Sequence, residues 1–158
     1  MRVLGQNKGA VETIIAANIL GFMAIIVLND WAYENFALRA ASVFAKPWTL
    51  ITSMFMHSGF GHIIFNMIAL FFFGLYLERI VGEENFLRVY FIGGVFASMS
   101  YVLTSLAFGV PAPHVYAVGA SGAVFAIMGA LVVLRPNMTV LVYFLFPMPL
   151  YVLMILYV

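Results

Sequence analysis

The 158-residue chain contains no cysteine. Disulfide frameworks, thiolate nucleophiles and cysteine-based metal sites are thereby excluded, and nothing about redox compartment follows. Charge is nearly as scarce. Asp, Glu, Lys and Arg make up 8% of the residues, where an ordinary soluble domain carries about a quarter. A net charge of +1 leaves no basic surface for neutralising phosphates, which argues against nucleic acid as a partner. Internal repeats, low-complexity tracts and polar linkers are also missing, so one domain is expected over residues 1–158.

Apolar surface is what the chain has in excess: 65% of residues are hydrophobic and the mean hydropathy is +1.10. The pattern predicts an all-α integral membrane protein, a polytopic helical bundle with five transmembrane helices. The first apolar run, 11–28, is close to the ~20 residues that cross a bilayer. A signal peptide would have a shorter core ending in small residues. Residues 29–53 mix Asp30, Glu34, Arg39 and Lys46 with Trp31, Tyr33, Phe36, Phe44 and Trp48. Such a mixture suits the headgroup layer. Further spans are expected over 61–77, over 86–108 with Asn85 as its cap, over 118–134 ended by Pro136, and over 139–158, kinked by Pro147 and Pro149.

Arg2, Lys8, Arg79, Arg88 and Arg135 fall on the N-terminal side of such a bundle, against Arg39 and Lys46 on the other. The positive-inside rule then predicts a cytoplasmic N-terminus. Spans two and four both begin at the outer face. The lack of an Arg/Ser-rich leader favours a prokaryotic plasma membrane.

Four polar side chains interrupt this apolar pattern. His57, His62 and Asn66 belong to the second span, with His62 and Asn66 four residues apart and so on one helix face. Ser121 opens the fourth span within Gly119-Ala120-Ser121-Gly122. Polar groups in hydrocarbon turn towards the bundle interior and find partners. One reading is interhelical glue. The other is acyl transfer: a serine nucleophile needs a base and donors aimed at the oxyanion. Asn66, His62 and the Ser121 N–H suit that task, and flanking glycines admit a peptide carbonyl. Metal binding fits poorly, because the histidine intervals match no ligand spacing. The soluble-hydrolase elbow is excluded, since Ala123 stands where its second glycine would be. Transport is disfavoured because no acidic residue interrupts a span. Gly122, Ala126 and Ala130, and Gly94 with Ser98, form small-residue stripes that read as helix packing.

Taken together, the pieces resemble the rhomboid family of intramembrane serine proteases. They are His57, His62, Asn66 and Met67; Phe73-Gly74, Leu77-Glu78 and Gly82 at the end of that span; and Gly119-Ala120-Ser121-Gly122. The resemblance covers residues 48–136. It implies Ser121 as nucleophile, His62 and Asn66 as oxyanion partners, supporting places for His57, Gly119 and Gly122, and no metal or organic cofactor. It also implies transmembrane segments of other proteins as substrates, an interfacial hairpin after span one, and substrate entry beside span five. Two departures stand out. The family's Trp-Arg pair is Trp48-Thr49 here, and the family's base, a histidine on a sixth helix, has no counterpart before Val158. A chain that stops inside an apolar run is expected to be cut short. His114, in the loop before Ser121, reads as a solvated side chain. The rival function is a rhomboid-like protein that binds transmembrane segments without cutting them.

Overall fold

A computed structural model of the chain describes residues 9–142 and 145–157. Arg2 and Lys8, which entered the charge count, and Val158, the end of the fifth expected span, lie outside them. Three helices are long and apolar enough to cross a membrane: α1 (Ala10–Phe36), α2 (Phe60–Val81) and α3 (Glu83–Phe108). The shorter apolar helix α4 (Ser121–Leu134) follows, then a hairpin of β1 (Thr139–Val142) and β2 (Phe146–Pro149), then α5 (Leu150–Tyr157).

The first helix is longer than the apolar run predicts. It continues past Leu28 to Phe36 through one non-helical residue, Asn29 (φ 44°, ψ −125°), a conformation that asparagine tolerates better than most residues. Its amino end is held by Glu78, whose Oε1 accepts from the Ala10 N–H at 2.9 Å. A carboxylate there satisfies an orphan donor and complements the positive end of the helix dipole. The bond also joins the start of α1 to the end of α2, so both lie at one end of the bundle. Within α2 the stretch Leu70–Gly74 widens into a π turn. Gly74 there packs close to Val11 and Phe86.

Asn85 does not cap α3. The helix starts at Glu83 behind Gly82, and the Asn85 amide donates to Val81 O at 2.9 Å. The acidic pair Glu83 and Glu84 occupies the first turn instead, where the helix dipole favours negative charge.

The core is a contiguous set of buried side chains from α1, α2, α3 and α4, including Leu70, Leu77, Phe86, Tyr90, Ile127 and Leu131. α3 and α4 approach closely. A Cβ added to Gly93 would lie 2.1 Å from the Ala126 Cβ, and one on Gly122 2.5 Å from the Ala97 Cβ. The α4 stripe of Gly122 and Ala126 is a packing surface, but it meets Gly93 and Ala97 of α3 rather than the expected Gly94 and Ser98; Gly94 packs chiefly on Met54.

The fifth span is a correction. Residues 139–142 and 146–149 are not helical: they pair antiparallel, with Thr139 opposite Pro149, Val140 opposite Met148 and Leu141 opposite Pro147. Two prolines two residues apart remove two helix donors. On a two-stranded ribbon both fall on one parity, where N–H groups face away from the partner and their loss costs no pairing. Only α5, eight residues long, remains helical in that segment. Five membrane-spanning helices are thus not present among the described residues.

Candidate active site

α4 has 14 residues and is therefore about 21 Å long at about 1.5 Å per residue, short of a hydrocarbon layer about 30 Å thick. If Arg135, just past its end, sits at one surface, Ser121 at its head lies well below the other. The chain that fills the remaining depth, residues 109–120, is irregular. Irregular backbone is tolerated at membrane depth only where protein satisfies it, and here neighbouring segments pair with several of its groups. Leu38 and Ala117 exchange two backbone bonds (3.1 and 2.8 Å), the Ala41 N–H donates to Pro113 O (2.9 Å), and the Gly119 N–H donates to Ser53 O (2.9 Å).

Side chains fasten the same two segments. Tyr116 donates its hydroxyl to the Glu34 carboxylate, a bond that raises the tyrosine above its ordinary pKa. Arg39 pairs with Glu34 at 3.2 Å and lies 5.0 Å over the Tyr116 ring. The aromatic and charged residues expected at the headgroups therefore double as a clamp between residues 34–39 and the loop that leads to the serine. Thr49, where the family carries arginine, is buried and donates to Lys46 O at 2.7 Å.

Gly119 is the hinge of the site. Its φ of +122° belongs to a region that side chains rarely occupy. A Cβ there would lie 2.7 Å from His62 Nε2, 2.8 Å from His62 Cε1 and 3.8 Å from Ser121 Oγ. His62 on α2 and Ser121 at the head of α4, separated in sequence by the whole of α3, thus flank one point, and glycine is required there on two counts.

The His62 ring does not hydrogen-bond Ser121. Its Nδ1 meets Ser58 instead, with Oγ at 3.1 Å and the backbone N at 3.4 Å. His57 is fully buried and stands edge-on to the His62 ring, centroids 5.1 Å apart at 68°. Among the described residues neither of its ring nitrogens makes a hydrogen bond of ordinary geometry. Asn66 is buried one turn further along α2, and its amide donates to His62 O at 2.9 Å. Asn66 therefore shares the face of His62, while no hydrogen bond joins it to Ser121 among the described residues. His114 is exposed in the loop, as its solvated reading implies. Gly122 packs on Ala97 and so serves the helix contact.

Ser121 is the first residue of α4, and no side chain caps that helix. The N–H groups of a first turn have no intrahelical acceptor, and the dipole adds positive potential there. Oxygen carrying developing negative charge is stabilised at such a point. Beside it lies a cavity of about 180 Å³, bordered by Ser121, Gly119, Ser53, Gly94, Ala97 and Tyr101. Among the described residues no three His, Asp or Glu side chains gather as a metal site would require.

Two site residues were not legible in the sequence as read. Ser53 anchors Gly119 through a carbonyl, which carries no residue-type signal. Ser58 did leave one: it stands four residues before His62, at a helix start where side chains commonly reach back to free N–H groups.

Residues 45–158 match a protein-family model described as Rhomboid domain. The chain is 35% identical over 157 residues to RHOMBOID-like protein 12, mitochondrial, of Arabidopsis thaliana, covering 91% of this chain and 47% of that protein. It is 39% identical over 82 residues to Putative rhomboid protease YdcA of Bacillus subtilis, covering 52% and 38%. With Rhomboid protease GluP of the same organism it shares 36% identity over 123 residues, covering 74% and 23%. The chain thus spans less than half the length of each of these relatives.

Proposed function

The chain belongs to the rhomboid family, and from that premise we propose that it is an intramembrane serine endopeptidase. Its long apolar helices and its family make it an integral membrane protein. The finer reading is cleavage of a substrate's transmembrane segment near the outer face of a prokaryotic plasma membrane, with the N-terminus in the cytoplasm.

One observation carries this reading: Ser121 Oγ and His62 Nε2 border the same glycine at the head of α4. A peptide carbonyl placed over Gly119 meets the serine on one side. On the other it meets donors from the first turn of α4 and from His62. Ser121 Oγ attacks the carbonyl carbon, the C–O π bond breaks, and its electron pair becomes the oxyanion held by those donors. The serine proton passes to a base, which later returns it to the leaving amine. The family resemblance assigns that base to a histidine on a further helix. Asn66, one turn away, steadies the backbone that carries His62 and is the second oxyanion candidate.

The deciding experiment is cleavage of a transmembrane reporter by the full-length gene product. Ser121→Ala is expected to lower the rate by at least about 10³-fold while substrate still co-purifies. Undiminished cleavage by Ser121→Ala removes the proposal. Binding without cleavage by the unaltered protein leaves the non-enzymatic rhomboid-like function.

A further inference from the structure

We propose that Ser58 is a positioning residue that holds His62 in the tautomer with its proton on Nε2, which makes the ring a donor towards Ser121 rather than a base. This rests on the reading of His62 as an oxyanion partner. A neutral imidazole carries one N–H, and the hydrogen bond made by one nitrogen decides the state of the other. At Nδ1 the neighbours are the Ser58 hydroxyl (3.1 Å) and the Ser58 backbone N–H (3.4 Å). A hydroxyl can donate or accept, but a backbone N–H only donates. A proton on Nδ1 would face that N–H head on. Nδ1 is therefore the acceptor, and the hydroxyl, at the shorter distance, donates to it as well.

Nε2 then carries the proton, and Nε2 is the atom that faces Gly119 beside Ser121. The other contacts of the ring do not choose a tautomer. His57 meets it edge-on, and among the described residues neither His57 nor Gly119 makes a hydrogen bond with it. The Asn66 amide binds the His62 carbonyl, not the ring. With the opposite tautomer, Nε2 would be a lone-pair acceptor, suited to take the serine proton and unable to donate to an oxyanion. The state of Nδ1 thus separates two chemistries at one residue.

The test reads the tautomer directly. The full-length protein is labelled with ¹⁵N-histidine, and two-bond ¹H–¹⁵N correlations are recorded at a pH where His62 is neutral. Three histidines make assignment by single substitution practical. The expected pattern is Nε2–H in the unaltered protein, a weakened Nε2–H preference in Ser58→Ala, where only the longer backbone N–H contact at 3.4 Å remains, and restoration in Ser58→Thr. In a reporter assay Ser58→Ala should lower kcat by about 10-fold, part of the 10²–10³-fold cost of losing an oxyanion donor, with KM unchanged and Ser58→Thr near the original rate. A purely structural Ser58 would leave the ¹⁵N pattern alone. An Nδ1–H pattern in the unaltered protein, or one unmoved by Ser58→Ala, overturns the proposal. The spectra need no substrate, so they stand or fall apart from the protease reading, which Ser121→Ala tests separately.

Discussion

Glycine at 119 answers two constraints at once, a positive φ and the nearness of His62. Either alone disfavours a side chain; together they tie the shape of the loop to the position of the ring. Gly119→Ala must strain the backbone, at a cost of order 1–3 kcal/mol, or displace the imidazole. The expected outcome is a fall in cleavage rate of about 10²-fold or more, the scale of a lost oxyanion donor. Loss of stability should be modest, read by thermal unfolding in detergent. A rate like that of the unaltered protein would show that His62 does not need its observed place. Asn18 shows the contrasting case of a polar group without such a role. It is fully buried in α1, donates to Ile14 O at 2.8 Å and reaches the Tyr90 hydroxyl at 3.4 Å. It is interhelical glue of the kind first weighed for His62 and Asn66.

At the scale of elements, the helix pair α3 and α4 positions the serine. Gly93 opposite Ala126, and Gly122 opposite Ala97, bring the two backbones together, and in lipid such close packing drives association. Gly93→Ala adds a methyl where 2.1 Å is available to the Ala126 Cβ, so an overpacking cost of about 1–3 kcal/mol is expected. Ala126→Gly returns the lost space. The double variant should therefore be more stable than the sum of the single changes predicts, by a coupling of about 1 kcal/mol or more, measured by unfolding in mixed micelles. Strict additivity would mean that the two helices do not meet there. The hairpin carries a different lesson. Pro147 and Pro149 were legible as disruption of a helix, but a kink and a switch to strand give the same local signal. The pairing with residues 139–142 decided it.

For the whole molecule, the two ends of the bundle are defined by contacts distant in sequence. Glu78 meets Ala10 at one end, and Leu38 pairs with Ala117 at the other. An even number of crossings, α2 and α3, separates the loops at 37–59 and 109–120, which agrees with their contact on one side. In the proposed orientation that side faces out of the cell. With no cysteine in these 158 residues, a single introduced cysteine is the one thiol among them. His114→Cys should react with a membrane-impermeant maleimide on intact cells, and Asn137→Cys only after lysis. The reverse pattern would invert the proposed orientation and put the serine at the cytoplasmic face.

Membrane class, the three long helices and the Ser121 motif were all determined by the sequence itself. The reason is that hydropathy and short-range spacing are local quantities, summed along a chain with 8% charge. The shared helix face of His62 and Asn66 follows in the same way from a spacing of four. Other features were decided only by the tertiary structure: the hairpin in place of a fifth span, the Glu34–Tyr116 clamp, and the bond from Gly119 to Ser53. Each depends on how separate segments meet, and a hydrogen bond or a van der Waals limit acts over a few ångströms whatever the separation along the chain. The glycine beside the serine belongs to both accounts. Its presence was visible in the motif, but the reason for it, a histidine 2.7 Å from where its side chain would start, exists only in the folded protein.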